Sequence, residues 1–283
     1  MSTKIGISAY GTAGDIMPML EMGMRLESFG HDVTYLIFAV DDTDYNKPTV
    51  RLDFDGEEFA KSDVDWFSPA AASLLMKESI ANNFSLICHH CNEMCNKVDA
   101  VINHYMLKPM QGICKKQYTS FCLCPGAINS GIPELEAGLA IGEDNIIAVD
   151  SIFGGTGYYF NEIKQVELID DSPVFMGFGS SQKFVADKAM EAFLAIEKGI
   201  SKPCIIQGRD FDYLDHMSAF PQCSHIVHHG GGTVHSATQA GVSQTIIPLQ
   251  GEHLYWAVQI EKLGLGMNAH NKTIDSIIKN IER

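Results

Sequence analysis

An apolar run, Lys4 to Tyr10, meets a tight turn, Gly11-Thr12-Ala13-Gly14-Asp15, and then a mostly apolar helical segment. Pro18 stands near the start of that helix, where proline is tolerated. Met19, Met22, Met24 and Leu26 give the helix its apolar character, and it ends at Phe29-Gly30. Gly30 occupies the place where a glycine C-cap is favoured. His31 to Val40 reads as a second strand. A strand, a helix and a strand in succession close into a crossover on a parallel sheet, so the class is α/β.

The alternation continues along the chain. Val98 to Asn103 and Phe121 to Cys124 read as strands, with helical patterning in Trp66 to Cys95 and again up to about Lys116. The stretch 127–172 is rich in Gly, Asn, Asp and Ser and carries Gly154-Gly155-Thr156-Gly157. Beyond it the pattern restarts. Pro173 to Phe178, Cys204 to Gln207, Ser224 to Val227 and Thr245 to Leu249 read as strands. Gly179-Ser180-Ser181 and His228 to Gly232 read as turns, and Val185 to Lys198, Thr233 to Ala240 and Leu254 to Leu263 as helices. Strands alternating with helices in each half predict two doubly wound parallel sheets. The 283 residues suffice for two cores. We place the domains at 1–160 and 161–283, with the boundary in 155–172.

The formal net charge of −15 argues against nucleic acid and anionic membrane as partners. Met1 to Lys4 leads into an apolar stretch too short for a signal peptide. No uninterrupted apolar run approaches the ~20 residues that span a bilayer, so no stable membrane insertion is expected and the expected location is cytoplasmic. In that compartment the eight cysteines should be reduced thiols. Cys88, Cys91 and Cys95 follow i, i+3, i+7 spacing, one face of a helix, and no second ligand cluster answers Cys88-His89-His90-Cys91. We therefore expect no metal.

His228-His229-Gly230-Gly231-Gly232-Thr233 lies between a strand and a helix. Glycines let the backbone approach a phosphate, and the helix N-terminus directs free N–H groups and the positive dipole end at it. A histidine there can give a charge-assisted hydrogen bond to phosphate. A glycine turn with two packed histidines explains the same residues equally well.

The surrounding residues extend the pattern. In order they are His216, Phe220-Pro221, His228-His229-Gly230-Gly231, Ala240-Gly241-Val242, Pro248, Gly251-Glu252-His253, Trp256-Ala257 and Leu263-Gly264-Leu265-Gly266. This stretch resembles the nucleotide-diphospho-sugar glycosyltransferases of the GT-B fold, in particular the sterol and antibiotic glucosyltransferase group of the UDP-glycosyltransferase superfamily. Pro173 to Ser180 resembles the opening strand and GFGS turn of the donor domain. Gly11 to Pro18, Gly30-His31-Asp32-Val33 and Val98 to Asn103 resemble landmarks of the acceptor domain. The resemblance is not continuous through 41–90 or 127–170.

The resemblance implies two Rossmann-like domains facing across a cleft, an N-terminal one for the acceptor and a C-terminal one for the donor. It implies an inverting, metal-independent transfer of a hexose, by default glucose, from a UDP- or dTDP-sugar to a hydroxyl of a small-molecule or lipid acceptor. No cofactor beyond the donor itself is implied. His229, Gly231, Gly232 and Thr233 would hold the diphosphate, with Gly179 and Ser180 near it. Asp215-His216 would meet the base, and Glu252 the sugar hydroxyls, with His253 beside it. Asp15 would be the catalytic base, although an Asp after a glycine turn also serves as an ordinary helix cap.

The chain departs from the family pattern in several places. The loop from His228 to Gly241 is one residue shorter. Glu252-His253 replaces the family's Asp-Gln sugar pair. The chain is short, and Arg283 is reached without the family's closing helices. Two further readings follow: a nucleotide-sugar-binding protein without turnover, and a GT-B sugar-nucleotide epimerase.

Overall fold

The computed structural model describes residues 2–52, 79–104, 107, 117–122, 146–148, 172–212, 214–249 and 251–283. They fall into two compact units, with the described residues up to 148 in the first and those from 172 in the second. The boundary expected near residue 160 lies outside the described residues, as do the helical patterning of Trp66 to about residue 78 and nearly all of the helix expected up to Lys116.

In the first unit the strands are β1 (Lys4–Gly11), β2 (Asp32–Ala39), β3 (Thr49–Arg51), β4 (Ala100–His104), β5 (Gln117–Cys122) and β6 (Ile146–Ala148). They form one sheet in the order β3-β2-β1-β4-β5-β6, and every pairing is parallel. After Lys4, β1 is buried along its whole length, as expected for a parallel strand covered on both faces. Helix α1 (Ala13–Ser28) and helix α2 (Phe84–Cys95) pack on this strand. A Cβ on Gly6 would lie 2.9 Å from Met94 Sδ, so the glycine lets α2 close onto the sheet.

The start of α1 differs from the sequence reading. The turn before α1 is shorter than expected: Thr12 is the N-cap and the helix starts at Ala13, so Asp15 is in its first turn. Pro18 is therefore inside the helix, where it withdraws the donor that would meet the Gly14 carbonyl. Gly30 has φ of 87° and closes the helix as expected. On α2 the buried side chains are Ile87, Cys91, Met94 and Cys95, with Cys88 at the margin of that face.

The second unit contains β7 (Val174–Met176), α3 (Ala186–Gly199), β8 (Cys204–Ile206), α4 (His216–Ala219), β9 (His225–His228), α5 (Thr233–Ala240), β10 (Gln244–Ile246), α6 (Gly251–Lys262), β11 (Gly266–Asn268) and α7 (Ile274–Ile281). Its strands run in the order β11-β10-β9-β7-β8, all parallel. One core joins Val174 and Met176 of β7 to Phe193 and Ile196 of α3 and Ile277 and Ile281 of α7. On the opposite side Phe175 packs with Phe220, Ile226 and Ala237. The strands β3, β6 and β11, each three residues long, are too short to show an alternation in sequence.

Both sheets reverse direction once. In the first unit this happens between β1 and β4, and in the second between β7 and β9. In open α/β sheets, ligands bind beyond the carboxyl ends of the strands at such a switch point. No described helix is long and apolar enough to cross a membrane.

Candidate active site

The second unit's switch point lies between the ends of β7 and β9, and the glycine–histidine loop follows β9. His228 is the last residue of β9 rather than part of the turn. Its ring is fully buried, with Nδ1 accepting from the Gly230 N–H at 3.1 Å and Nε2 meeting Gln244 Oε1 at 2.8 Å. The ring thus shapes the turn. Gly230 has φ of 100°, and a Cβ there would lie 2.8 Å from Ile246.

His229 is turned differently. Its ring lies 4.6 Å from His253 and 6.0 Å from Phe178, centre to centre. A Cβ on Gly231 would lie 2.6 Å from its Nε2, so this glycine makes room for the ring. His229 Nδ1 is buried and has no hydrogen-bond partner among the described residues. A buried ring nitrogen left unpaired is costly and uncommon. Burial, then His253, His228 and His216, hold its pKa well below that of free imidazole, so the ring is neutral at neutral pH. A hydrogen bond from it to a phosphate would therefore be charge-assisted from the phosphate's side only. Gly232 is the N-cap of α5 and supplies no side-chain cap, and buried Thr233 is the first helical residue.

Two glutamines that the sequence reading left out hold the loop after β7. Gln207 Oε1 accepts from the Gly179 N–H at 2.8 Å, and its Nε2 donates to the Gly179 carbonyl at 3.2 Å. Gln182 Oε1 accepts from Phe178 N–H at 3.1 Å, and its Nε2 donates to the Gln207 carbonyl. Gly179, with φ of 55°, opens the short 3₁₀ helix Gly179–Phe184, which contains Ser180. The Cβ that Gly179 lacks would lie 3.6 Å from the His229 ring, so the two loops meet. Only the juxtaposition in the fold reveals these glutamines, since nothing in their spacing signals a clamp.

The remaining donor-side candidates are more dispersed. Asp215 caps α4 by accepting from Met217 N–H at 3.1 Å. The His216 ring is buried and stacked on Phe220 at 4.2 Å, with its edge toward Phe175. His253 is buried, and its Nδ1 accepts from Leu249 N–H at 3.3 Å. Glu252 is the second residue of α6, and its side chain lies outside the described residues.

In the first unit, Asp15 lies just beyond the end of β1, and His104 is the last residue of β4. These are the two strands at the switch point. His104 Nε2 is 3.8 Å from Asp15 Oδ1, with the histidine side chain 1% and the aspartate 20% exposed. Asp15 Oδ2 accepts from Thr12 N–H at 3.1 Å in a capping box. Burial first, and repulsion from Asp41, raise the Asp15 pKa to about 6 against the Thr12 hydrogen bonds. Burial lowers that of His104 to about 3. At neutral pH the pair is a carboxylate beside a neutral imidazole. The sequence reading gave His104 no role, because its partner is far away along the chain.

Among the described residues, His89, His90 and Glu93 on the outer face of α2 bring ligand atoms within 4.8 Å of one another. The cysteines of that segment face the other way.

Residues 207–282 match the family described as Erythromycin biosynthesis protein CIII-like, C-terminal domain. The chain is 30% identical over 112 residues to a sterol 3-beta-glucosyltransferase of Arabidopsis thaliana, covering 34% of this chain and 18% of that protein. It is 32% identical over 138 residues to an uncharacterized glycosyltransferase of Mycobacterium tuberculosis, covering 43% of this chain and 33% of the other. In sequence the chain is thus similar, over part of its length, to glycosyltransferases.

The chain matches only 18–33% of the length of those two relatives. In structure it is similar to SsfS6, a glycosyltransferase of Streptomyces sp. SF2575, with a TM-score of 0.62 and 17% identity over 99% of this chain and 90% of that one. SsfS6 has also been solved with thymidine diphosphate. The similarity to UGT89C1 of Arabidopsis thaliana in complex with UDP gives a TM-score of 0.62 at 15% identity, over 100% of this chain and 90% of that one. The fold is therefore GT-B.

Proposed function

We propose that this chain transfers a hexose, by default glucose, from a UDP- or dTDP-sugar to a hydroxyl of a small-molecule or lipid acceptor. The observation that carries this reading is the loop after β9: a neutral, buried His229 with an unpaired ring nitrogen beside glycines that open onto a helix N-terminus. Diphosphate oxygens would meet that ring and the backbone N–H groups of Gly231, Gly232 and Thr233. UDP and thymidine diphosphate in the structurally similar proteins support the same ligand class here.

The acceptor oxygen attacks the anomeric carbon from the face opposite the diphosphate. A carbon–oxygen bond forms there as the bond to the diphosphate breaks, so the configuration inverts. The diphosphate leaves with the electron pair, stabilised by His229 and the loop amides, with no metal taking part. Asp15 takes the hydroxyl proton, and His104 flanks the carboxylate that receives it. A base with a pKa near 6 is ionised at neutral pH and still has useful proton affinity.

Incubation with UDP-glucose and dTDP-glucose, following release of free nucleoside diphosphate, tests the reaction. Turnover should rise with pH through about 6, because Asp15 must lose its proton to act. Asp15→Asn should lower turnover by ~10²–10⁴ and leave UDP affinity unchanged. Full activity in that variant would reduce Asp15 to a helix-capping residue. UDP binding without any turnover would favour a sugar-nucleotide-binding protein, the reading supported by the Glu252-His253 replacement.

A further inference from the structure

Beside Asp15 lies a second carboxylate that neither the motif nor the proposed chemistry requires. Asp41 follows β2 and is 3% exposed. Its Oδ2 accepts from Ala13 N–H at 3.1 Å and from Thr43 Oγ1 at 3.2 Å. Its Oδ1 accepts from the Tyr45 hydroxyl at 2.8 Å. Thr12 N–H, the amide just before Ala13, donates to Asp15. Two carboxylates are therefore held on consecutive amides at the start of α1. Arg51, with its side chain 45% exposed, stands 3.7 Å from Asp41 Oδ1 and donates to the carbonyls of Asp41 and Thr43.

Helix capping alone does not account for this arrangement. Thr12 and Asp15 already form a capping box, and a second buried carboxylate close to the first adds like-charge repulsion. We propose that Asp41 is a positioning residue for Asp15: it ties the first turn of α1 to the end of β2 and sets a second carboxyl group beside that of Asp15. This rests on the reading of Asp15 as the base.

The charge acts in the direction a base needs. Repulsion from Asp41 contributes to the raised proton affinity of Asp15, after burial. The other titratable groups that face Asp15 are His104 from β4, Tyr10 from β1 and Tyr45 from the segment after β2. His104 is neutral near pH 7, and burial pushes Tyr10 up to about 12. Burial, then Asp41, likewise raises the Tyr45 phenol well above its ordinary value.

Carboxyl-carbon NMR titration of the full chain, with the Asp15 signal assigned by its loss in Asp15→Asn, tests this without any substrate. In Asp41→Asn the Asp15 midpoint should fall by about one pH unit, on the scale of a neighbouring charge. In Arg51→Gln it should move the other way, by a smaller amount, because the guanidinium no longer offsets Asp41. An Asp15 midpoint unmoved in Asp41→Asn overturns the proposal. If that variant does not fold, Arg51→Gln decides alone: a rise supports the proposal and no change overturns it. The two readings separate in the pH profile of turnover. A shifted Asp15 signal without a matching shift of the acid limb leaves Asp41 as the tuning group and removes Asp15 as the base.

Discussion

At the scale of single residues, the His228-His229 pair shows how neighbours of one type divide their tasks. His228 is spent on the turn, with both ring nitrogens bonded inside the protein. His229 keeps an unpaired nitrogen, and Gly231 is small because that ring needs the space. His229→Ala should therefore weaken UDP binding by about 1.5–3 kcal/mol, the scale of a hydrogen bond to a charged group, while uridine binding changes far less. Calorimetry on both ligands checks this. Equal UDP affinity in the variant and the parent protein would remove the loop from the phosphate site.

At the scale of elements, α7 is the clearest addition to the sequence reading. Ile274, Ile277, Ile278 and Ile281 repeat at helical spacing, and Ile277 and Ile281 enter the core formed by α3 and β7. The signal is present in the sequence, but the segment lies past the last recognised motif. Ile278 packs against Gly199, where any side chain would collide with it, so the two helices approach closely. Ile277→Ala should destabilise the second unit by about 2–5 kcal/mol, combining lost burial with the cavity left behind. Urea unfolding followed by tryptophan fluorescence, in a Trp66→Phe background so that Trp256 alone reports, measures it. A loss well under 1 kcal/mol would mean that α7 does not close this core.

At the scale of the whole molecule, buried histidines set the response to acid. In the second unit, burial lowers His216 and His253 to about 3 and His225 and His228 to about 4, and His229 is also well below its ordinary value. The unfolded chain takes up these protons near pH 6.5 and the folded one does not. Their contribution is complete above pH 6.5 and is lost as pH falls toward the folded values. The four groups at about 3 to 4 together remove on the order of 4 kcal/mol between pH 6.5 and 5.5, close to the lower end of ordinary domain stability, and His229 acts in the same direction. The second unit should therefore unfold steeply between about pH 5 and 6. In the first unit Asp15 works in the opposite sense, because its raised pKa makes its charged form a burden above pH 6 that acid relieves. Circular dichroism across this range checks the expectation. A second unit still folded at pH 4 would contradict it.

The sequence by itself determined the α/β class, the parallel pairing and the place of the glycine–histidine loop. These depend on local signals: apolar runs bounded by glycine, and helical or strand periodicity. It also held the need for a small residue at position 231, because the ring that fills the space there is that of His229, two residues away. Only the tertiary structure decided which distant side chains meet. Asp15 finds His104 because β1 and β4 are adjacent at the point where the sheet reverses. Gln207 reaches Gly179 because β8 pairs with β7. Asp41 meets the start of α1 because β2 lies beside β1. Each of these contacts is made across a strand pairing, and pairing brings together residues whose separation along the chain carries no local signal.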